Sequence, residues 1–213
     1  MDYDRMIETA RTFYAALAQS NTKEWWDDHR ETYDTILKPS AEALLHDITP
    51  LLAKRTGVKI EEKLFRPNRD VRFSKDKTPY KTHIHMMWTM KTGGRQEPVF
   101  FFGVSPDYVT VGGGLKTFDK AVLDDWRKMV DLDGDRIGEI IAALVKKGFV
   151  LDEPDLKRVP QPYAADHPLA EHLKRKGMVA RRSLGLGPIP EAIMVAFDAL
   201  APFNTMLADI AEG

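Results

Sequence analysis

The sequence predicts an α+β fold, in which a mainly antiparallel sheet packs with N-terminal, middle and C-terminal helices. Three observations support this prediction. Apolar residues recur at helical spacing up to Gly57, short apolar runs separated by turn residues follow from Val58 to Val111, and helical spacing returns afterwards. Because neighbouring apolar runs are joined by short turns, antiparallel pairing of the strands is favoured.

The N-terminal part is predicted to be helical. A first amphipathic helix covers Tyr3 to Ala18, and Asn21 with Glu24 resembles the cap of a second helix. Pro39 is expected to kink this helix or restart it, and Gly57 is expected to end it. The predicted inward stripe of the second helix is Trp25, Trp26, His29, Tyr33, Ile36 and Leu37. After Pro39 the stripe continues through Ala41, Leu44, Leu45, Ile48, Leu51 and Leu52.

Four strands are predicted in the middle of the chain. They are Val58 to Phe65, Ile84 to Met90, Val99 to Val104 and Tyr108 to Val111. The third is continuously apolar, which is typical of a central strand. Three glycines, Gly112 to Gly114, are expected to end the fourth strand in a tight turn where two backbones pass closely. They do not form a P-loop, because Leu115 separates them from Lys116 and Thr117.

The second half returns to helices. Helices are predicted from Thr117 to Val130 and from Asp133 to Lys147, followed by an extended edge segment from Phe149 to Tyr163 and a short helix through Leu169 and Leu173. Met178 to Leu184 is expected to return to the sheet. Pro190 starts a terminal helix that Pro202 is expected to interrupt. We expect residues 1–213 to form a single domain.

The composition excludes several classes of protein. Hydrophobic residues make up 43% and charged residues 30% of the 213 residues, as in ordinary globular proteins. A net charge of −1 argues against coating nucleic acid by an overall positive field. The chain has no cysteine, which excludes disulfides, a thiolate nucleophile and a thiolate zinc site. Its acidic start does not resemble a signal peptide, so we expect a cytoplasmic protein without membrane contact.

The most distinctive segment, which we call the basic stretch, runs from Arg66 to Lys81. It contains six basic residues and two acids, a balance of +4 in a protein of net charge −1. Guanidinium and ammonium groups at this density predict recognition of an anion such as a phosphorylated small molecule or nucleic acid. Tyr80, Trp25 or Trp26 would supply a stacking face. The candidate ligand-binding residues are Arg66, Arg69, Asp70, Arg72, Lys75, Asp76, Lys77, Tyr80, Lys81 and His83.

A structural interpretation of the basic stretch stands beside the functional one. The segment would then be a long connection whose arginines form a salt-bridge knot. The partners would be acids of the second helix, namely Glu24, Asp27, Asp28 and Glu31.

Histidines supply the other candidate chemistry. His83 and His85 lie on one face of a predicted strand, where they could bind a metal with Asp70 or Asp76. No third ligand follows at a fixed spacing, so we predict no metal and no cofactor. His29 is either a half-buried core histidine or a general base that faces the basic stretch.

The central motif resembles that of a known family. Residues 69–83 read R-D-V-R-F-S-K-D-K-T-P-Y-K-T-H and resemble the R-D-x-R-F-S-K-D-K-x-P-Y-K motif of uncharacterised bacterial and fungal proteins, known only as a domain of unknown function. Further similar residues are Asn21–Lys23, Trp25, His29–Arg30, Ser105–Pro106, Gly112–Gly114, Lys157–Arg158 and Asp166–Pro168. His85 departs from the family pattern, where a small residue is expected. The resemblance implies one bacterial-type soluble domain and assigns no catalytic residue.

Three functions are therefore compared. The first is a binding module for an anionic ligand at residues 66–83. The second is an enzyme acting on a phosphate-containing or nucleic-acid-like substrate, with Asp70, Asp76, His29 or His83 transferring protons. The third is a structural or interaction protein. A pocket joining the basic stretch to His29 would favour the enzyme, a flat basic face would favour binding, and full internal pairing of the arginines would favour structure. The sequence leaves the oligomeric state open.

Overall fold

The helices and strands follow the predicted order along the chain. The structure is a computed structural model, and it describes residues 2–185 and 187–213. The helices are α1 (Tyr3–Gln19), α2 (Lys23–Thr32), α3 (Lys38–Thr56), α4 (Lys120–Leu132), α5 (Gly134–Lys146), α6 (Ala170–Leu173) and α7 (Ile189–Glu212). The strands are β1 (Lys59–Leu64), β2 (Ile84–Lys91), β3 (Val99–Val104), β4 (Val109–Leu115), β5 (Val150–Leu151) and β6 (Met178–Ser183).

The strands form one antiparallel sheet in the order β1-β2-β3-β4-β6-β5. The predicted α+β class is confirmed, and β3 lies inside the sheet as its apolar sequence predicted. The extended segment after Phe149 contributes only the two residues of β5, at the edge. In the middle of the sheet Phe101 lies opposite Met87 on one side and Gly112 on the other.

One face of the sheet carries the hydrophobic core. Trp88 and Phe100 are fully buried there, and the ring of Phe197 from α7 packs at 5.4 Å and 4.9 Å from their ring centres. The Trp88 indole nitrogen donates a hydrogen bond to the carbonyl of Leu45 in α3 at 3.3 Å. The alternation of strand side chains therefore sends one set into this core and the other set to the opposite face.

The two N-terminal helical segments after α1 form one continuous helical run. A π-helical turn, Tyr33–Leu37, joins α2 to α3 immediately before Pro39, and the Lys38 amide donates to the Tyr33 carbonyl. Pro39 cannot donate a hydrogen bond to the preceding turn. The i→i−5 hydrogen bonding of the π-helical turn keeps the run helical at this point.

Three residues assigned to the inward stripe of this run lie at the surface. His29 is exposed, and Ile36 and Leu51 retain 39% and 48% of their accessible surface. The π-helical turn has more residues per turn than an α-helix, so Ile36, which lies in it, leaves the face that regular α-helical spacing assigns to it.

The prediction that the glycines end β4 is wrong, because the strand runs through Gly112, Gly113 and Gly114 to Leu115. The expected close approach is present. A Cβ on Gly112 would lie 2.3 Å from the Phe101 ring, and one on Gly114 would lie 1.9 Å from the Met178 carbonyl oxygen. The glycines therefore admit neighbouring groups within the sheet instead of forming a turn.

Pro202 does not interrupt the terminal helix, which continues from Ile189 to Glu212. Pro202 faces solvent, while Leu200 and Phe203 beside it are fully buried. Tertiary packing on both sides of the proline offsets its missing hydrogen bond.

By length and composition α7 is the one helix of the described residues that could cross a membrane. However, 61% of its most apolar 18-residue window is buried inside the protein, as in the core helix of a globular protein.

Candidate anion-binding site

The basic stretch is part of the connection between β1 and β2, and this connection folds back on itself. Asn68 and Tyr80 form an isolated antiparallel bridge. The Arg69 amide donates to the Pro79 carbonyl at 2.8 Å, and the Lys81 amide donates to the Pro67 carbonyl at 2.8 Å. These bonds hold the two ends of the connection together and separate it into a tip, residues 69–78, and a base, residues 63–68 and 79–83.

Tyr80 anchors the connection to the helices. Its side chain is 7% exposed, and its ring stacks on Trp26 with centres 4.3 Å apart and an angle of 13°. The Asn21 side chain accepts a hydrogen bond from the Tyr80 amide at 3.1 Å and donates one to the Tyr80 carbonyl at 2.9 Å. Tyr80 and Trp26 are both buried, so neither stacked ring presents a free face to solvent. Tyr80 and Trp26 therefore hold the base in place and offer no open stacking surface.

At the tip, Arg69 is paired within the connection. Its guanidinium donates to Asp76 at 2.6 Å, to the Thr78 carbonyl at 3.0 Å and to the Thr78 hydroxyl. Hydrogen bonds from the Thr78 amide, the Thr78 hydroxyl and Arg69 lower the pKa of Asp76 to about 2. Arg69 thus closes a local polar network, as the structural interpretation expects.

The rest of the tip is exposed, and most of its charges have local partners. Arg72 donates two hydrogen bonds to Asp70, at 2.9 Å and 2.6 Å, and these bonds lower the pKa of Asp70. Lys77 donates to the Val71 carbonyl at 2.9 Å. Lys75 lies in solvent, and Phe73 is 96% exposed. Two of the four cations of the tip, Arg69 and Arg72, are therefore paired with acids, while Lys75 and Lys77 have no acid as ion-pair partner among the described residues.

The predicted ion pairs with α2 are not formed. Within the part of the chain that the structure describes, no acid of α2 lies within 4.0 Å of a basic group of the basic stretch. Arg30 of α2 pairs with Asp34 at 3.1 Å instead. The contact between the connection and α2 is made by Tyr80, Trp26 and the preceding Asn21, so it is aromatic and amide in character.

The base has the opposite electrostatic character, because two ammonium groups lie beside one ring and the charge of Arg66 acts on one of them. The ammonium groups of Lys63 and Lys81 lie 5.2 Å and 5.7 Å from the centre of the Phe65 ring. Lys81 donates to the Arg66 carbonyl at 2.8 Å. Among residues 2–185 and 187–213, no acid forms an ion pair with Lys63, Arg66 or Lys81. We call these three residues the cation cluster.

The acids nearest in sequence to the cation cluster are engaged elsewhere. Glu61 pairs with Lys91 at 3.4 Å, and Glu62 accepts a hydrogen bond from Thr49. Burial, together with Arg66 and Lys63, lowers the pKa of Lys81. Burial is the larger cause, and the two like charges act in the same direction, because both disfavour the charged ammonium form.

His83 and His85 extend the cation cluster along β2. Their rings stack 3.9 Å apart, and His85 Nε2 lies 2.8 Å from the Tyr108 hydroxyl. Burial and the charge of Lys81 lower the pKa of His83, and burial with His83 and Lys81 lowers that of His85 to about 4. In the described residues no three His, Asp or Glu side chains are grouped as metal ligands would be. The two imidazoles do share one face of the strand, as predicted.

His29 is separate from this region. Its ring stacks on Trp25 at 4.0 Å, and Nδ1 lies 2.7 Å from the Trp25 carbonyl. It lines a surface cavity of about 460 Å³ between α1 and α2 that contains no residue of the basic stretch. A pocket joining His29 to the basic stretch would have favoured the enzyme hypothesis. This cavity does not join them.

Three residues near the site were not among the predicted ones. Lys63 and Phe65 precede the basic stretch, and Tyr108 lies in the turn after β3. The alternation of β1 places Lys63 and Phe65 on one face, and this signal was available in the sequence. The approach of Tyr108 to His85 depends on how β2, β3 and β4 pair, which the sequence pattern alone does not define.

Comparison with known proteins places the chain in a family. Residues 9–205 match the family described as "conserved hypothetical protein (DUF2461)". The chain belongs to this family. No curated protein matches the sequence. The resemblance found in the motif is thus confirmed at the level of the family, whose matched region contains the cation cluster and the whole basic stretch.

Proposed function

We propose that the protein binds a phosphorylated or otherwise anionic ligand at the cation cluster. The observation that carries the proposal is the approach of Lys63 and Lys81 to the Phe65 ring beside Arg66, without an acid as ion-pair partner in the described chain. Of the predicted ligand-binding residues, Arg66, Lys81 and His83 remain part of the proposed site. It assigns the paired Arg69 and Asp76 to the architecture of the connection.

Electrostatics explains why an anion would bind here. Burial, followed by repulsion from Arg66 and Lys63, disfavours the charged form of Lys81 and lowers its pKa. A phosphate group would remove this repulsion and accept hydrogen bonds from the two ammonium groups. The Arg66 guanidinium, which has no side-chain partner among the described residues, could contact two phosphate oxygens at once.

The experiment is a titration of inorganic pyrophosphate into the protein at low salt, followed by isothermal titration calorimetry. Arg66→Ala and Lys81→Ala should each weaken binding by about tenfold, the effect of losing one charge-assisted hydrogen bond. Arg72→Ala is the matched control, because it removes an equal charge from the same connection at a position already paired with Asp70. It should change the affinity less than twofold.

Two results would contradict the proposal. One is the absence of any pyrophosphate binding at low ionic strength, where electrostatic binding is strongest. The other is an equal loss in Arg72→Ala and Lys81→Ala, which would mean that only the net charge of the connection matters.

A further inference from the structure

The sheet has a second face that stays open to solvent. On β2, Ile84, Met86, Trp88 and Met90 are buried, whereas every alternate residue is partly exposed. The same holds across the sheet, where all non-glycine side chains of this alternate set are partly or fully exposed. Representative residues of this open face, in order across the strands, are Lys63, Met87, Phe101, Thr110 and Arg181.

The centre of the open face is apolar and aromatic, and glycines make room for its rings. Phe101 reaches over Gly112, where a Cβ would lie 2.3 Å from the ring. His85 reaches over Gly103 in the same way, at 2.5 Å. Met87 lies directly opposite Phe101 on the neighbouring strand. Each ring thus lies over a glycine of the neighbouring strand. Together with Met87, the two rings form a shallow apolar surface, which we call the floor of the open face.

Basic residues lie at both edges of this floor. The cation cluster lies at the β1 edge. At the β6 edge, Lys147, Arg181 and Arg182 line a cavity of about 730 Å³ together with Thr110 and Ser183. Arg181 lies on the open face and pairs with Asp152 at 2.7 Å, while Arg182 lies opposite the buried Val111 and donates to the Lys147 carbonyl at 3.0 Å.

The floor and the cavity are continuous. Thr110 lies opposite Gly103, which lies opposite His85. Four strand spacings separate β1 from β6, a distance of roughly 19 Å at about 4.8 Å per spacing. Stacked nucleotides advance by about 3.4 Å, so one phosphate cannot reach both edges.

We infer that the open face binds a short single-stranded nucleic acid, with bases on Phe101, Met87 and His85 and phosphates at the two cationic edges. This inference rests on the proposed anion site, since the cation cluster forms one edge. Partly exposed rings on an open sheet suit unpaired bases, whose faces are free to stack. A duplex hides those faces.

The experiment measures fluorescence anisotropy of labelled dT8 and rU8 in 50 mM salt, with an unlabelled duplex, ATP and pyrophosphate as competitors. Phe101→Ala should weaken octamer binding by about tenfold, as for the loss of one stacked base. Phe73→Ala is the matched control, since Phe73 is 96% exposed at the tip and is not part of the sheet. It should leave the affinity within twofold.

Two further variants guard against loss of folding. Phe101→Leu keeps an apolar side chain and removes the ring, so it should also weaken octamer binding while keeping the melting temperature. Phe101→Trp places an indole on a face that holds none of the four native tryptophans, and its emission should change when the octamer binds. A comparison of dT8 with rU8 distinguishes DNA from RNA.

Several outcomes would overturn the inference. If pyrophosphate binds through Lys81 but neither octamer binds, the anion site stands and the open face has another role. If ATP competes as well as the octamers do, the site holds a single nucleotide. If Phe101→Ala instead dissociates a dimer without affecting octamer binding, the face is an interface between copies of this chain.

Discussion

Arginines in the tip of the connection are paired with acids, whereas the basic residues of its base have no acid partner among the described residues. At the tip, Arg69 and Arg72 are paired with Asp76 and Asp70, seven and two residues away in sequence. At the base, Lys63 and Lys81 come from opposite ends of the connection and meet around Phe65 without an acid. The tip carries the more distinctive sequence, yet the base has the more available charge.

The density of charge in a sequence therefore does not measure the charge that is available to a ligand. Acids placed within a few residues neutralise their neighbours locally, because short loops bring them together at little entropic cost. Residues far apart in sequence escape such pairing and meet only when the sheet forms.

Tyr80→Ala should lower the free energy of unfolding by about 3–4 kcal/mol, because it removes a buried ring stacked on Trp26. Phe73→Ala, which truncates a 96% exposed ring at the tip, should change it by less than about 0.5 kcal/mol. Urea denaturation of both variants measures this contrast. Similar losses in the two variants would show that the base is not the anchored part of the connection.

His85 should make the protein less stable in mild acid. Its pKa is about 4 in the folded protein against 6.5 ordinarily, so the unfolded chain binds more protons between these values. The free energy of unfolding therefore falls as the pH decreases from 6.5 to 4, by up to about 3 kcal/mol. His85→Asn should flatten this part of the stability curve measured by denaturation at several pH values. An unchanged slope in the variant would contradict the assignment.

The two arginines of the tip should differ in their effect on stability. Arg69 is 27% exposed and makes three hydrogen bonds, so Arg69→Ala should cost about 1–2 kcal/mol. Arg72 is 77% exposed, so Arg72→Ala should cost less than about 0.5 kcal/mol. A double-mutant cycle with Asp76→Asn measures the Arg69 pair. A coupling near zero in that cycle would mean that the tip is not held by this network.

Phosphate should stabilise the protein modestly through the base. At ten times its dissociation constant a ligand adds about 1.4 kcal/mol, and the shift in melting temperature should shrink at high salt. Lys81→Ala should lose the shift, while Lys75→Ala, at the exposed tip, should keep it.

The sequence by itself determined the α+β class, the order of the elements and the family. Local patterns suffice for these, because helical spacing and apolar alternation are properties of neighbouring residues. They also located the basic stretch and the shared strand face of His83 and His85. Local rules also identified Pro39, Pro202 and the glycines of β4 as special positions. The predicted outcome was wrong for Pro202 and for the glycines, since burial on both sides outweighed the local preference.

Only the tertiary structure decided which charges remain available. Pairing between β1 and β2 brings Lys63 to Lys81, and pairing among β2, β3 and β4 places His85 beside Tyr108 and over Gly103. It also leaves one face of the sheet without a covering layer of side chains. Strand register and the choice of buried face depend on residues distant in sequence, so a pattern read along the chain does not contain them.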